Sequence, residues 1–130
     1  MNNKHIMLVD DDDIFNMLHA DLIHQVIPNA KITEFISSKR ALSFLTEAIH
    51  SNKPLPDFIF IDIRMPEMSG LELIEELIKL NLDLFKNTKL YVITSSLDDR
   101  DRERSLAYPI VTDFLVKMIS QETIEKILIN

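Results

Sequence analysis

The sequence predicts an α/β fold of the open, doubly wound kind, with a five-stranded parallel sheet flanked by five helices. Short apolar runs that end at polar residues alternate five times with longer segments whose apolar residues lie three and four positions apart. The longer spacing is typical of helices with one buried face. The apolar run Phe58–Ile61 shows no alternation, which indicates a strand covered on both faces, as in a parallel sheet between two helical layers.

The candidate strands are short apolar runs bounded by polar or turn residues. In chain order they are His5–Asp10, Lys31–Ile36, Asp57–Asp62, Lys89–Thr94 and Ile110–Val116. Each is followed by a segment of helical periodicity, so the strands and helices form repeated strand–helix units, the arrangement that produces parallel sheets.

The candidate helices carry apolar residues at helical spacing, as Leu71 and Ile74 do in the third. In chain order they are Ile14–Val26, Lys39–Ile49, Leu71–Leu80, Asp98–Ala107 and Gln121–Ile129. The segment Asn81–Thr88 is a candidate extension of the third helix. The fourth helix is dense in charge, and we expect Leu97 and Leu106 to be among its few residues that face the core.

Length, composition and charge narrow the classes of function. The 130 residues suffice for one domain, residues 1–130, and leave no room for a second. The absence of cysteine excludes disulfides, thiolate metal sites and a cysteine nucleophile, and the single glycine, Gly70, excludes glycine-rich nucleotide-binding loops. A formal net charge of −7 disfavours direct binding to nucleic acid or anionic membranes. Because no apolar run approaches the ~20 residues of a membrane span and no signal peptide is evident, we expect a cytoplasmic protein without membrane insertion.

Acidic residues follow two of the candidate strands. The first strand leads into a run of four aspartates that begins with Asp10 and Asp11, and the third strand ends in Asp62. Open α/β sheets bind ligands beyond the carboxyl ends of their strands, so these side chains converge if the two strands are neighbours. Three unpaired carboxylates need a counterion, and an all-oxygen ligand set favours Mg²⁺.

Two further polar residues fall at the same edge of the predicted sheet. Thr94 ends the fourth strand and Lys117 follows the fifth. A metal ion, an ammonium group, a hydroxyl and a carboxylate nucleophile together suit a phosphoryl group, because the cations neutralise its oxygens while the carboxylate attacks phosphorus.

Four motifs at the ends of the first, third, fourth and fifth strands resemble those of the receiver domain of two-component response regulators. They are Ile6–Asp11, Phe60–Pro66, Val92–Ser95 and Phe114–Lys117, and the likeness covers essentially the whole chain. The resemblance implies a flavodoxin-like sheet of strand order 2-1-3-4-5. The length is similar to that of the chemotaxis-type single-domain members, so we expect no output domain.

The resemblance also implies roles for the acidic residues. It makes Asp62 the phosphoacceptor, which attacks a phosphohistidine on a sensor histidine kinase or a histidine phosphotransfer protein. It makes Asp11 a direct ligand of Mg²⁺ and Asp10 a ligand through water. The backbone carbonyl of Arg64 completes the set of protein ligands.

By the same resemblance, Lys117 pairs with the aspartate or with a phosphoryl oxygen. Thr94 moves toward the phosphoryl group and Phe114 rotates inward behind it, which remodels the face formed by the fourth helix, the fifth strand and the fifth helix. Such a change is a population shift between two packings. We expect the signal to pass to a downstream protein by contact, from a monomer or a weak dimer.

Several residues have simpler interpretations. Asp12 and Asp13 are expected to cap the first helix, because carboxylates favour a helix N-terminus. The histidines form no metal-binding pattern and are expected at the surface; they are His5, His19, His24 and His50. Receiver domains usually have proline after the lysine of the fifth strand, often with a cis peptide, whereas this chain has Met118. Because a cis bond before a residue other than proline costs about 3–4 kcal/mol, we expect a trans Lys117–Met118 peptide and an altered loop.

Two other functions remain open at this point. One is a receiver-like interaction domain that works without phosphorylation, which Met118 makes conceivable. The other is a phosphatase of the haloacid dehalogenase kind, which forms an aspartyl phosphate after its first strand. That family has Asp-x-Asp-x-Thr at this position, and the run from Asp10 to Ile14 lacks the threonine.

Overall fold

A computed structural model describes residues 4–95 and 97–129 of the chain. Within these residues, five parallel strands form one sheet in the order β2-β1-β3-β4-β5. The strands are β1 (His5–Val9), β2 (Lys31–Phe35), β3 (Phe58–Asp62), β4 (Lys89–Thr94) and β5 (Val111–Val116). The helices are α1 (Asp13–Val26), α2 (Ser38–His50), α3 (Gly70–Asn81), α4 (Asp99–Leu106) and α5 (Gln121–Ile129). The predicted fold class and strand order are confirmed.

The observed elements agree with the predicted ones to within one residue at each end, with one correction after α3. The segment Asn81–Thr88 does not extend α3 as an α-helix. It forms a separate 3₁₀ helix, Leu82–Phe85, because the Asn81 side chain accepts a hydrogen bond from the backbone N–H of Asp83 at 3.0 Å and so begins a new helix.

Two apolar clusters cover the opposite faces of the sheet. Alternate strand residues point to alternate faces, so Ile59 and Ile61 of β3 belong to one cluster while Phe58 and Phe60 belong to the other. The first cluster includes buried residues of α2 and α3, and the second includes buried residues of α1 and α5. Every residue of β3 is buried, as the unbroken apolar run predicts.

The inner side of α4 is polar. Asp101 and Ser105 are its buried residues, and the Ser105 hydroxyl donates a hydrogen bond to the Asp101 carbonyl at 2.7 Å. Leu97 is 83% exposed and Leu106 is 40% exposed. The prediction that these two leucines face the core is therefore wrong. The inward position is taken by the Asp101 carboxylate, which forms an ion pair with Arg64 in the loop after β3.

None of the helices in the described ranges has both the length and the apolar character that crossing a membrane requires.

The parallel register places the ends of the central strands at one edge of the sheet. Val9 pairs with Ile61, Asp62 pairs with Ile93, and Thr94 pairs with Val116. The residues that follow β1, end β3 and β4, and follow β5 therefore share this edge.

Gly70 allows α3 to begin directly against the end of β3. A Cβ atom at this position would lie 2.2 Å from the carbonyl oxygen of Asp62 and 2.9 Å from its carbonyl carbon. The backbone N–H of Gly70 donates to the carbonyl of Ile63 at 2.8 Å. Next to it, Ser69 and Glu72 form a capping box, in which each side chain accepts a hydrogen bond from the other residue's backbone N–H.

We predict that Gly70→Ala lowers the free energy of unfolding by about 3 kcal/mol, because the new methyl group meets rigid backbone. The neighbouring Ser69→Ala removes one cap hydrogen bond and is expected to cost only about 1 kcal/mol. Urea unfolding of both variants measures the difference. Equal losses in the two variants would contradict the proposed contact between α3 and β3.

Candidate functional site

Three carboxylates meet at the edge of the sheet where β1 and β3 end. Asp10, Asp11 and Asp62 each place one carboxylate oxygen within 4.8 Å of the others. Asp10 and Asp62 are buried, while Asp11 is exposed. The predicted convergence of these side chains is confirmed, and it follows from β1 and β3 being hydrogen-bonded neighbours.

Backbone hydrogen bonds hold Asp10 in place. Its N–H donates to the carbonyl of Phe35 at 3.0 Å, and its Oδ1 accepts from the N–H of Asp12 at 2.9 Å. The buried Asn16 amide donates to the carbonyls of Asp10 and Phe35 at 3.1 and 3.2 Å. Asp12 is the N-cap of α1 and accepts from the N–H of Ile14 at 3.0 Å, as predicted.

Lys117 bridges the two buried carboxylates. Its ammonium nitrogen lies 2.7 Å from Asp10 Oδ2 and 3.3 Å from Asp62 Oδ2, and its side chain is 6% exposed. The ammonium also lies 4.4 Å from the centre of the Phe15 ring. Burial lowers the pKa of Lys117, but the close contact with the Asp10 carboxylate and the charges of Asp62 and Asp10 outweigh it, so the net pKa is raised.

The peptide between Lys117 and Met118 is cis. The predicted trans peptide is therefore wrong. That prediction considered an isolated peptide bond, whereas here the backbone is held on both sides by the fold. The N–H of Lys117 donates to the carbonyl of Thr94 at 2.8 Å, and the N–H of Ile119 donates to His19 Nε2 at 3.3 Å.

His19 is buried, with only 2% of its surface exposed. The prediction that the histidines lie at the surface is wrong for this residue, whereas His24 and His50 are exposed. The ring stacks on Phe15, one helical turn earlier, with the ring centres 6.2 Å apart. Helical spacing could have predicted the burial of His19. Phe15, His19 and Ile23 follow one another at intervals of four residues, which places them on the inner face of α1.

Burial is the largest influence on Asp62. It raises the pKa of this carboxyl to about 6, with a further increase from the charge of Asp10, while Lys117 and the backbone N–H of Arg64 act in the opposite direction. Without a further cation, ionisation of Asp62 therefore costs more free energy than ionisation of an exposed aspartate.

The ligand set fits a hard divalent cation. The grouped atoms are carboxylate oxygens, which Mg²⁺ and Mn²⁺ prefer. Three ionised carboxylates against the single ammonium of Lys117 leave two negative charges to be neutralised, which is the charge of one such ion. The exposed Asp11 is the carboxylate that solvent and an incoming ion reach first.

Arg64 connects this site to α4. Its backbone N–H lies 3.4 Å from Asp62 Oδ1, and its guanidinium group pairs with the buried Asp101 carboxylate at 2.7 Å. The loop after β3 therefore contacts both the acidic cluster and α4. The predicted use of the Arg64 carbonyl as a metal ligand stays a prediction.

The two predicted switch residues are buried near the same edge. Thr94 ends β4 with 1% of its surface exposed, and Phe114 lies in β5 with 7% exposed. The carbonyl of Thr94 accepts the hydrogen bond from the N–H of Lys117, so β4 and the loop after β5 are joined beside the cluster. The movements expected of Thr94 and Phe114 stay predictions.

The sheet order, the acidic cluster and the bridging lysine define a class of protein. The family model of the response regulator receiver domain matches residues 6–129, and the chain belongs to this family. Receiver domains are signalling modules of two-component systems and interact with histidine kinases or phosphotransfer proteins.

Individual relatives agree with this assignment. A two-component response regulator from Cytophaga hutchinsonii superimposes with a TM-score of 0.87 at 27% identity, covering 97% of this chain and 94% of that one. The Mn²⁺-bound form of response regulator Rcp1 gives a TM-score of 0.72 at 26% identity, covering 95% of this chain and 91% of that one. A probable methanogenesis regulatory protein, FilR2, from Methanothrix harundinacea is 24% identical over 93% of this chain and 76% of that protein.

The raised pKa of Asp62 predicts a pH-dependent gain in stability for Asp62→Asn. A carboxyl whose pKa rises on folding contributes stability at low pH, and this is lost as the pH increases from 3.8 through about 6. Without divalent cations, we expect Asp62→Asn to be more stable than the unsubstituted chain at pH 7.5, by on the order of 2 kcal/mol. Near pH 3.5 the difference disappears.

Urea unfolding in the presence of a chelator measures both values. Asp21→Asn, which removes an exposed carboxylate from the middle of α1, is the control for the change in net charge. A stability difference that is the same at both pH values would contradict the assigned cause.

Proposed function

We propose that this receiver domain is a phosphorylation switch in which Asp62 accepts a phosphoryl group from a phosphohistidine with the help of Mg²⁺. One observation carries the proposal. The buried Asp62 carboxylate lies in a cluster with Asp10 and Asp11 and 3.3 Å from the ammonium of Lys117. A nucleophile, an oxygen-rich cation site and a fixed positive charge are the groups that phosphoryl transfer needs.

The proposed reaction takes place at the carboxylate of Asp62. A carboxylate oxygen forms a bond to phosphorus as the P–N bond of the phosphohistidine breaks, and the imidazole nitrogen keeps the electron pair and takes a proton from solvent. The product is an aspartyl phosphate. Attack of water on phosphorus later breaks the new P–O bond, releases inorganic phosphate and restores the carboxylate, so that the domain catalyses its own phosphorylation and dephosphorylation.

The acidic residues would hold the metal ion in the way that the family resemblance implies. Asp11, being exposed, would bind it directly, Asp10 would act through water, and the Arg64 carbonyl would complete the protein ligands. When bound, Mg²⁺ supplies positive charge for the phosphoryl oxygens. Lys117 already neutralises part of the charge of Asp10 and Asp62, and it would turn to the phosphoryl oxygen once Asp62 is esterified.

The output is proposed to leave through the face of α4, β5 and α5. Lys117 follows β5, and its backbone N–H is bonded to Thr94 at the end of β4, so a change at Asp62 reaches this face through both strands. Val116 and Leu106 expose 45% and 40% of their surface there. A downstream protein would bind this face when Thr94 and Phe114 change position.

The two alternative functions have less support than the phosphorylation switch. Met118 favoured an interaction domain without phosphorylation because it put the position of Lys117 in doubt, yet Lys117 contacts both Asp10 and Asp62. The missing threonine disfavours the haloacid dehalogenase alternative, since the first strand leads into Asp10-Asp11-Asp12-Asp13-Ile14 where that family has Asp-x-Asp-x-Thr.

We predict that acetyl phosphate or phosphoramidate, with Mg²⁺, adds one phosphoryl group to the chain. The adduct is expected to be stable in acid and labile in base, because an acyl phosphate is cleaved readily by hydroxide. Intact-mass spectrometry detects it, and Asp62→Ala is expected to abolish it. Asp13→Ala, from the same run of acids but outside the cluster, is the control. An unchanged adduct in Asp62→Ala would refute Asp62 as the phosphoacceptor.

We also predict that Asp11→Ala weakens Mn²⁺ and Mg²⁺ binding by about tenfold or more, because it removes a direct ligand. Isothermal titration calorimetry of the unphosphorylated chain measures the affinity. Asp13→Ala removes an equal charge two residues away and is expected to change the affinity far less. Equal weakening in the two variants would show that general charge attraction, and not ligation by Asp11, holds the ion.

A further inference from the structure

An aromatic pair on α1 lies beside the ammonium of Lys117. The Phe15 ring centre lies 4.4 Å from this ammonium. The His19 ring stacks on Phe15 at an interplanar angle of 27°. Phe15 is partly buried, so its position depends on the residue that packs behind it, and that residue is His19.

His19 is also bonded to the loop that follows Lys117. Its Nε2 accepts a hydrogen bond from the backbone N–H of Ile119, two residues after Lys117. A backbone N–H only donates, so Nε2 must be the ring nitrogen without a proton, and the neutral ring carries its proton on Nδ1. The imidazole thus joins α1 to the loop between β5 and α5.

The surroundings of His19 make this bond hard to replace. The ring lines a narrow space whose other walls are apolar side chains, and this space is too small for a water molecule. The other lining residues are Leu8, Ile23, Phe60, Ile119 and Ile124. An aliphatic residue at position 19 would preserve the packing but would leave the N–H of Ile119 without a partner in an apolar environment.

We propose that His19 is a positioning residue for Lys117, which it holds over Asp62 through the Phe15 ring and the backbone of Ile119. This inference rests on the proposed function. Two independent contacts lead from His19 to the same ammonium, one through a side chain and one through the loop. The ammonium lies 2.7 Å from Asp10 and 3.3 Å from Asp62. A small displacement of the loop would therefore change which of the two carboxylates the ammonium contacts more closely.

The test is a double-mutant cycle between positions 19 and 117. The rate of phosphorylation by acetyl phosphate with Mg²⁺ is measured for the unsubstituted chain, His19→Leu, Lys117→Ala and the double variant. If His19 acts through Lys117, His19→Leu slows the reaction about tenfold in the unsubstituted chain. It is then expected to have no further effect when Lys117 is already absent.

Two other variants separate positioning from general stability. His19→Gln retains an acceptor for the N–H of Ile119 and is expected to recover part of the rate. Phe15→Leu removes the aromatic surface under the ammonium while His19 remains, and it is expected to slow the reaction as well. His50→Leu, at an exposed position near the end of α2, is the control for loss of an imidazole.

The outcomes are distinguishable. An unchanged rate in His19→Leu, or an equal slowing with and without Lys117, would overturn this inference while the proposed function stands. Absence of an adduct on Asp62 in the unsubstituted chain would contradict the proposed function itself. If His19→Leu fails to fold, the comparison of His19→Gln and Phe15→Leu in the presence and absence of Lys117 decides the question.

Discussion

Two buried carboxylates at the ends of neighbouring strands are the constraint on which this structure depends. Asp10 and Asp62 are almost completely shielded from water, and the charge of Asp10 adds to the energetic cost of ionising Asp62. Lys117 offsets part of this cost with one ammonium group placed between them. The remaining negative charge favours the binding of a divalent cation, which together with Lys117 would provide the positive charge for phosphoryl oxygens that the proposed function requires.

Several local features of the fold hold these charged side chains in place. The amide of Asn16 and the cap of Asp12 fix the turn after β1, and Gly70 lets α3 begin against the carbonyl of Asp62. These contacts are made by backbone groups or short side chains, which have little freedom to move. Because the strands run parallel and in register, each such feature acts at the same edge of the sheet.

The periodicity of the sequence was sufficient for the fold class and the element boundaries. The convergence of Asp10 and Asp62 also required the strand order, which the family resemblance implied and periodicity alone does not give. It was insufficient where a residue's environment comes from a distant part of the chain. His19 bonds to a backbone 100 residues away, and the position of α4 depends on Asp101 meeting Arg64 across 37 residues. Local sequence patterns do not identify such distant partners. The prediction of a trans Lys117–Met118 peptide was wrong for the same reason, because it took no account of the contacts around Lys117.

The polar attachment of α4 connects the site to the rest of the molecule. Apolar packing holds α1, α2, α3 and α5 against the sheet, whereas α4 buries Asp101 and Ser105, and Asp101 forms an ion pair with the exposed Arg64. Ion pairs of this kind respond to nearby charge, whereas apolar contacts do not. Arg64 lies two residues after Asp62, so a charge added to Asp62 changes the electrostatic potential at the guanidinium group that pairs with Asp101 of α4. The helix with the least apolar support therefore lies beside the residue whose charge the proposed reaction changes.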